Sequence, residues 1–162
     1  MLFAKTQRAS RDLNEQFRER AVDKVYYAIC QAEKFDHLMA ADEQYLQHVF
    51  DSKSKATNAM GELRYSLEQL VVVKRRPCAL IRIRLITGFK HQVRIMMSSC
   101  LGAPVAGDAK YRSSVDLGGH LLLHAHALSF DHPRSGERLA FSSPLPALWS
   151  QLTKTDLNPR GL

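Results

Sequence analysis

Two β-prone runs, Glu62 to Val73 and Cys78 to Thr87, flank the short insert Lys74-Arg75-Arg76-Pro77, and this arrangement constrains the fold more than any other feature of the chain. Runs rich in β-branched residues on either side of a turn-type insert predict an antiparallel hairpin. In the second run Ile81, Ile83 and Leu85 alternate with Arg82 and Arg84, so one strand face is expected to be buried and the other basic.

The hairpin sits in a stretch of one-sided charge. No Asp or Glu occurs between Glu68 and Asp108, while Lys74, Arg75, Arg76, Arg82, Arg84, Lys90 and Arg94 all fall there. These seven cations equal the net charge of the whole chain, +7 from 23 Lys+Arg and 16 Asp+Glu, so acids and bases nearly cancel elsewhere. Concentrated positive charge is the footprint of a polyanionic partner, most simply a nucleic acid. An acidic protein partner is the weaker reading of the same patch. A hydrophobic fraction of 45% with 24% charged residues excludes a disordered chain, a collagen and a coiled coil. No apolar run reaches the length of a membrane span, and no membrane partner is expected. Cys30, Cys78 and Cys100 are odd in number and lack metal-type spacing, which suggests free thiols in a reducing, intracellular compartment, cytoplasmic or mitochondrial.

The remaining pattern fills in a single domain over residues 1–162, expected as a monomer. Leu2 to Lys5 reads as the tail of a strand. Gln7 to Ala21 reads as an amphipathic helix capped by Thr6, with Ala9, Leu13, Phe17 and Ala21 toward a core and Arg8, Arg11 and Arg18 on another face. Val25 to Cys30 is a strand, Glu43 to Phe50 is read as helical, and Asp51 to Asn58 as a loop. Lys90 to Cys100 is a helix stopped by Gly102. Leu121 to Phe130 and Arg138 to Ser142 are strands about a turn at Asp131 to Glu137, and Pro144 to Lys154 is a closing helix with Leu145, Leu148, Trp149 and Leu152 at core spacing. More strands than helices, joined mostly by short turns, predict an α+β fold with a largely antiparallel mixed sheet flanked by helices.

Three segments carry chemistry. The first runs Gln16-Phe17-Arg18 through Lys24-Val25-Tyr26-Tyr27-Ala28. The second is Leu85-Ile86-Thr87-Gly88-Phe89-Lys90-His91-Gln92-Val93-Arg94, followed by Gly102-Ala103-Pro104-Val105-Ala106-Gly107-Asp108-Ala109-Lys110-Tyr111. The third is Leu122-Leu123-His124-Ala125-His126-Ala127-Leu128-Ser129-Phe130-Asp131-His132-Pro133. In this order and spacing they resemble the RluA family of RNA pseudouridine synthases, from Met1 to about Trp149. The resemblance implies a pseudouridine synthase fold. It also implies isomerisation of a flipped-out uridine in rRNA or tRNA with no cofactor: the C1′–N1 bond breaks, the uracil turns, and C1′ bonds to C5.

By the same resemblance Arg94 is the arginine that pairs with the nucleophilic carboxylate, and Tyr26 is the tyrosine that contacts the target base. Both suit those tasks, since a guanidinium can hold a carboxylate ionised and bidentate, and an aromatic ring can stack on a flipped base. Tyr27 points to the opposite strand face and is read as packing. Lys24, Lys90, His91 and Gln92 are expected at the pocket rim or on the RNA backbone, with Arg75, Arg76, Arg82 and Arg84 as further RNA contacts. Thr87 and Gly88 are expected to shape the turn, and Asp108 to sit in a structural turn. His124 and His126 have no Cys or carboxylate at ligand spacing, so no metal is expected.

The chain departs from the family pattern in three places. The family's nucleophile sits in a His-Arg-Leu-Asp motif upstream of a strand in which this sequence begins, so that motif is not among the 162 residues. Phe89 stands where the family usually has Arg, and Met96 where it usually has His. A start inside a strand favours a synthase whose first segment lies upstream. The two substitutions favour a catalytically silent RNA-binding or ribosome-assembly factor on the same fold.

Overall fold

The computed structural model describes residues 2–31, 33, 42–50 and 59–157. Among the described residues six strands form one sheet: β1 (Asp23–Gln31), β2 (Gln44–Phe50), β3 (Ala59–Val73), β4 (Arg76–Leu85), β5 (Leu123–Asp131) and β6 (Arg138–Ser142), in the order β2-β3-β4-β1-β5-β6. Every pairing among the described strands is antiparallel, in keeping with the largely antiparallel sheet expected. Three helices flank it: α1 (Gln7–Arg18), α2 (Gln92–Ser99) and α3 (Ala147–Thr153). None is long and apolar enough to cross a membrane.

The β3–β4 hairpin forms where the sequence places it, Val73 opposite Arg76. Its two-residue turn, Lys74 and Arg75, has φ of 47° and 64°. Positive φ at both central positions matches the right-handed twist of the flanking strands. β1 lies near the middle of the sheet, and its β-branched and aromatic residues are buried on both faces. Tyr26 is half-buried on the first face, whose core joins Ala28, Cys30, Ile81, Ile83 and Leu85 to Val93, Met96 and Met97 of α2. Tyr27 is 1% exposed on the second face, packed with Ile29, Leu80, Val73 and Trp149 of α3. A smaller cluster of Leu13, Val22 and Phe130 seats α1.

Three local expectations change. Glu43 to Phe50 is a strand, not a helix: Leu46 and Phe50 pack on the core side while Tyr45 and Val49 face solvent, the period of a strand. Leu2 to Lys5 has no ladder partner among the described residues and is not a strand there. The stripe on α1 narrows to Leu13, because the helix ends at Arg18 and Phe17 is 41% exposed. Thr6 caps α1 as expected, its hydroxyl accepting from the Ala9 N–H at 3.2 Å. The loop expected at Asp51 to Asn58 lies outside the described residues.

Candidate active site

The Gln92 side chain ties the turn from β4 into α2, alongside the Ile86 and Thr87 N–H bonds to the Glu62 carbonyl. The Gln92 amide is 2% exposed; its Nε2 donates to the Glu62 carbonyl at 2.9 Å, and its Oε1 accepts from the Thr87 hydroxyl and the Phe89 N–H, both at 3.0 Å. All its strong bonds run to the turn and to β3, so Gln92 fixes where α2 starts. His91, immediately before α2, takes the left-handed conformation with φ of 59°. Phe89 stacks on Phe50 of β2 with ring centroids 5.0 Å apart, and Met96 is fully buried, so both departures from the family pattern serve packing.

Arg94, on the second half-turn of α2, meets Asp108. Its Nε donates to Oδ2 at 2.6 Å and its Nη2 to Oδ1 at 2.7 Å. The Asp108 side chain is fully buried and the Arg94 side chain 19% exposed. Burial alone would raise the Asp108 carboxyl. The Arg94 hydrogen bonds and charge, with backbone N–H groups of Tyr111 and Lys110, outweigh it and hold the group below the usual carboxylate range. The same guanidinium lies 4.9 Å from the centroid of the Tyr111 ring, whose hydroxyl shares a 3.0 Å hydrogen bond with His91 Nδ1. Desolvation, then the charges of Arg94, Lys110 and Lys90, lower the His91 pKa and favour neutral imidazole. Asp108 thus sits in a structural turn, as its motif suggests, and is also the partner of the site arginine.

Tyr26 and Lys24 project from the same face of β1 and line a groove of about 490 Å³ with Leu2, Leu128, Phe130 and Phe141. Burial raises the Tyr26 hydroxyl pKa, so the group is a neutral donor. Lys24 is only 8% exposed; its Nζ donates to the Thr87 carbonyl at 3.2 Å and lies 3.5 Å from that of Ile86. Burial, then the charge of Arg20, lowers its pKa. The Thr87–Gly88 turn therefore joins two parts of one site: Lys24 holds it from β1, and Gln92 holds it from α2.

The family model described as RNA pseudouridylate synthase matches residues 1–99, more than half of the chain. The chain belongs to the RNA pseudouridylate synthase family. It is 30% identical over 153 residues to "Ribosomal large subunit pseudouridine synthase C" of Haemophilus ducreyi and 30% identical over 155 residues to the protein of that name in Escherichia coli, with 90% of this chain and 48% of each relative covered. The chain thus spans about half the length of these curated relatives. Among solved structures, "Human RNA Pseudouridylate Synthase Domain Containing 1" superposes with a TM-score of 0.69 at 21% identity, over 87% of this chain and 62% of that one, and shares the fold.

Within this family framework the basic residues separate. Arg75 and Arg76 are exposed at the tip of the β3–β4 hairpin, where neighbouring Lys74 donates to the Asp116 carbonyl at 2.6 Å. Arg82 and Arg84 lie near the other end of β4, on the sheet face opposite Tyr26. Eight residues of strand separate Arg76 from Arg84, roughly 26 Å. Lys90 is exposed just before α2. The acid-free stretch is therefore not one surface. His124 Nε2 and His126 Nδ1 both hydrogen-bond the Ser143 carbonyl, at 3.2 and 2.7 Å. Among the described residues no group of three or more His, Cys, Asp or Glu could hold a metal. Sequence reasoning missed Tyr111 and the Arg94–Asp108 pair; the acid closing the acid-free stretch was the available signal.

Proposed function

We propose that the chain acts as an RNA pseudouridine synthase on ribosomal RNA, with Tyr26 against the flipped uridine and Arg94 ordering the anionic centre. The observation that carries this reading is that the Tyr26–Lys24 groove and the helix bearing Arg94 pack on one face of one sheet, joined through the Thr87–Gly88 turn. The curated relatives' names favour large-subunit rRNA over tRNA.

The reaction is an isomerisation and leaves atoms and charge balanced: C1′ loses its bond to N1 and gains one to C5, and the C5 proton is returned to solvent as N1 is protonated. In this reading Tyr26 supplies a stacking surface and a neutral hydroxyl beside the base. Arg94 uses two N–H groups on Asp108, and its guanidinium has three more in the same plane for a second carboxylate. The Asp108 grip fixes their direction. Lys24, Lys90 and His91 form the rim.

The test measures pseudouridine by mass spectrometry in large-subunit rRNA and in tRNA. It uses the 162-residue chain and the product of the full reading frame that encodes it. Pseudouridine in rRNA that disappears in Arg94→Ala, with RNA still bound, supports the reading. Unchanged turnover in Arg94→Ala overturns the role of Arg94. RNA binding without turnover in both forms supports the silent RNA-binding or ribosome-assembly reading. That reading is favoured by the neutralisation of Arg94 by Asp108 and by the packing roles of Phe89 and Met96.

A further inference from the structure

The sheet has a second face, and its helical cover is incomplete. α3 and the segment from Ala106 to Leu122 bury Tyr27, Ile29, Val71, Val73 and Leu80. The part of that face nearer the Thr87–Gly88 turn carries a row of side chains in register across three strands, with Tyr45 opposite Arg64 and Arg64 opposite Arg84. Arg82 follows two residues from Arg84 on the same face, opposite Ser66.

Direct cross-strand pairing of two arginines is unfavourable, because like charges sit about one strand spacing apart, ~4.8 Å. Compensation of Arg64 and Arg84 is thin. Glu43 lies 3.6 Å from Arg64 and 3.9 Å from Arg82, beyond good hydrogen-bond length to either. Arg84 is exposed and has no ion pair among the described residues. Two further acids border this part of the face: Glu62 is engaged by Arg20 at 3.0 Å and by the Tyr45 hydroxyl at 2.8 Å, and Glu68 accepts from the Ser66 hydroxyl at 3.0 Å on the Arg82 side, where Arg82 also hydrogen-bonds Tyr27. The Arg64 guanidinium rests 5.7 Å from the centroid of the Tyr45 ring, which holds it over the face. Fixed guanidinium groups beside an exposed aromatic ring suit a phosphate backbone with bases close by.

We propose that Arg64 and Arg84, with Arg82 beside them, form a second RNA-phosphate surface on the face opposite the Tyr26 groove. It takes the substrate RNA where that RNA passes round the end of the sheet at Thr87–Gly88. Arg84 lies three residues before Thr87, so a strand leaving the groove reaches this surface over a short path. The inference shares with the proposed function the premise that RNA is the partner, but it concerns binding rather than chemistry.

The experiment measures affinity of the chain for a long stem-loop RNA against salt, in wild type, Arg64→Gln/Arg84→Gln and Arg64→Lys/Arg84→Lys, with pseudouridine formation followed in parallel. Loss of two phosphate contacts makes the plot of log K against log salt shallower by about 1 to 2. That change in the Gln variant, with a slope near wild type in the Lys variant, supports the second surface. A slope unchanged in the Gln variant overturns it and leaves an acidic protein as the occupant of this face. Binding that depends on these arginines without turnover removes the proposed enzyme and keeps the surface. Turnover with an unchanged slope does the reverse.

Discussion

Arg94 grips Asp108 through both Nε and Nη2 across fourteen residues of chain, tying the first turns of α2 to the 3-10 turn Ala109–Tyr111. Removing one partner of a buried ion pair leaves the other without compensation, at about 3–5 kcal/mol. Arg94 keeps some solvent exposure, so Asp108→Asn is expected to destabilise by about 2–4 kcal/mol at neutral pH. Because folding lowers the Asp108 pKa, the contribution is complete above the unfolded value of ~3.9 and is lost as pH falls through the lower folded value. Urea unfolding at pH 7 and pH 3 checks this: the gap between wild type and Asp108→Asn narrows in acid. An equal gap at both pH values would show that the charge is not what the site uses.

The sequence reading succeeded where one local rule decided the structure. The β3–β4 hairpin is legible because β-branched runs flank turn residues, and β1 because its run is apolar on both faces. β2 was misread because Leu46 and Phe50 fall at i and i+4, a spacing shared by a helix face and one face of a strand. Ladder partners on β3 decide between them, and those are set by tertiary pairing. The Arg94–Asp108 pair was hidden for the same reason: nothing local indicates which acid closes on which arginine. The basic stretch between Lys74 and Arg94 is contiguous in sequence only, because the strand between Arg76 and Arg84 carries its cations to opposite ends of β4.

Gln92 was expected to touch RNA, and its burial gives a sharp alternative to measure. Three hydrogen bonds from one buried amide to Glu62, Thr87 and Phe89 set the entry of α2. Gln92→Ala leaves the Phe89 N–H without its acceptor, whereas the Glu62 carbonyl keeps the Ile86 and Thr87 N–H donors and the Thr87 hydroxyl keeps its bonds to Glu62, so a loss of about 1–3 kcal/mol is expected for the one orphaned group. Thr87→Val should be non-additive with it in a double-mutant cycle. The salt slope of RNA binding should stay at the wild-type value. A shallower slope with unchanged stability would return Gln92 to the RNA interface.

The hairpin tip stores strain that one substitution releases. Arg75 is a non-glycine residue at φ of 64°, a conformation that costs an L-residue about 1–2 kcal/mol. Glycine takes it freely but loses more chain entropy on folding, so Arg75→Gly is expected to stabilise by about 0.5–1 kcal/mol. A thermal melt should rise by about 1–4 °C for a chain of this size. The same variant removes one exposed cation, so the RNA salt slope reports separately whether the tip touches RNA.

Tyr26 and Tyr27 are adjacent in sequence and opposite in role, which makes them a paired test of the site. Tyr26 lines the groove and is half-buried, whereas Tyr27 is 1% exposed between Trp149 and the His126 ring, whose centroid lies 5.0 Å away. Truncating a buried aromatic removes its burial energy and opens a cavity, about 3–5 kcal/mol, so Tyr27→Ala should lower the urea midpoint sharply. Tyr26→Ala removes less packing and should cost about 1–2 kcal/mol in proportion to its smaller burial. Under the proposed function its larger effect belongs to turnover: pseudouridine formation should fall to background while RNA affinity stays within a few-fold of wild type. Tyr26→Phe separates the ring from the hydroxyl, since stacking survives and the neutral donor is lost. If Tyr26→Ala turned over normally while Tyr27→Ala, still folded, did not, the groove on the first face would not be the catalytic pocket and the site would have to be sought across the sheet.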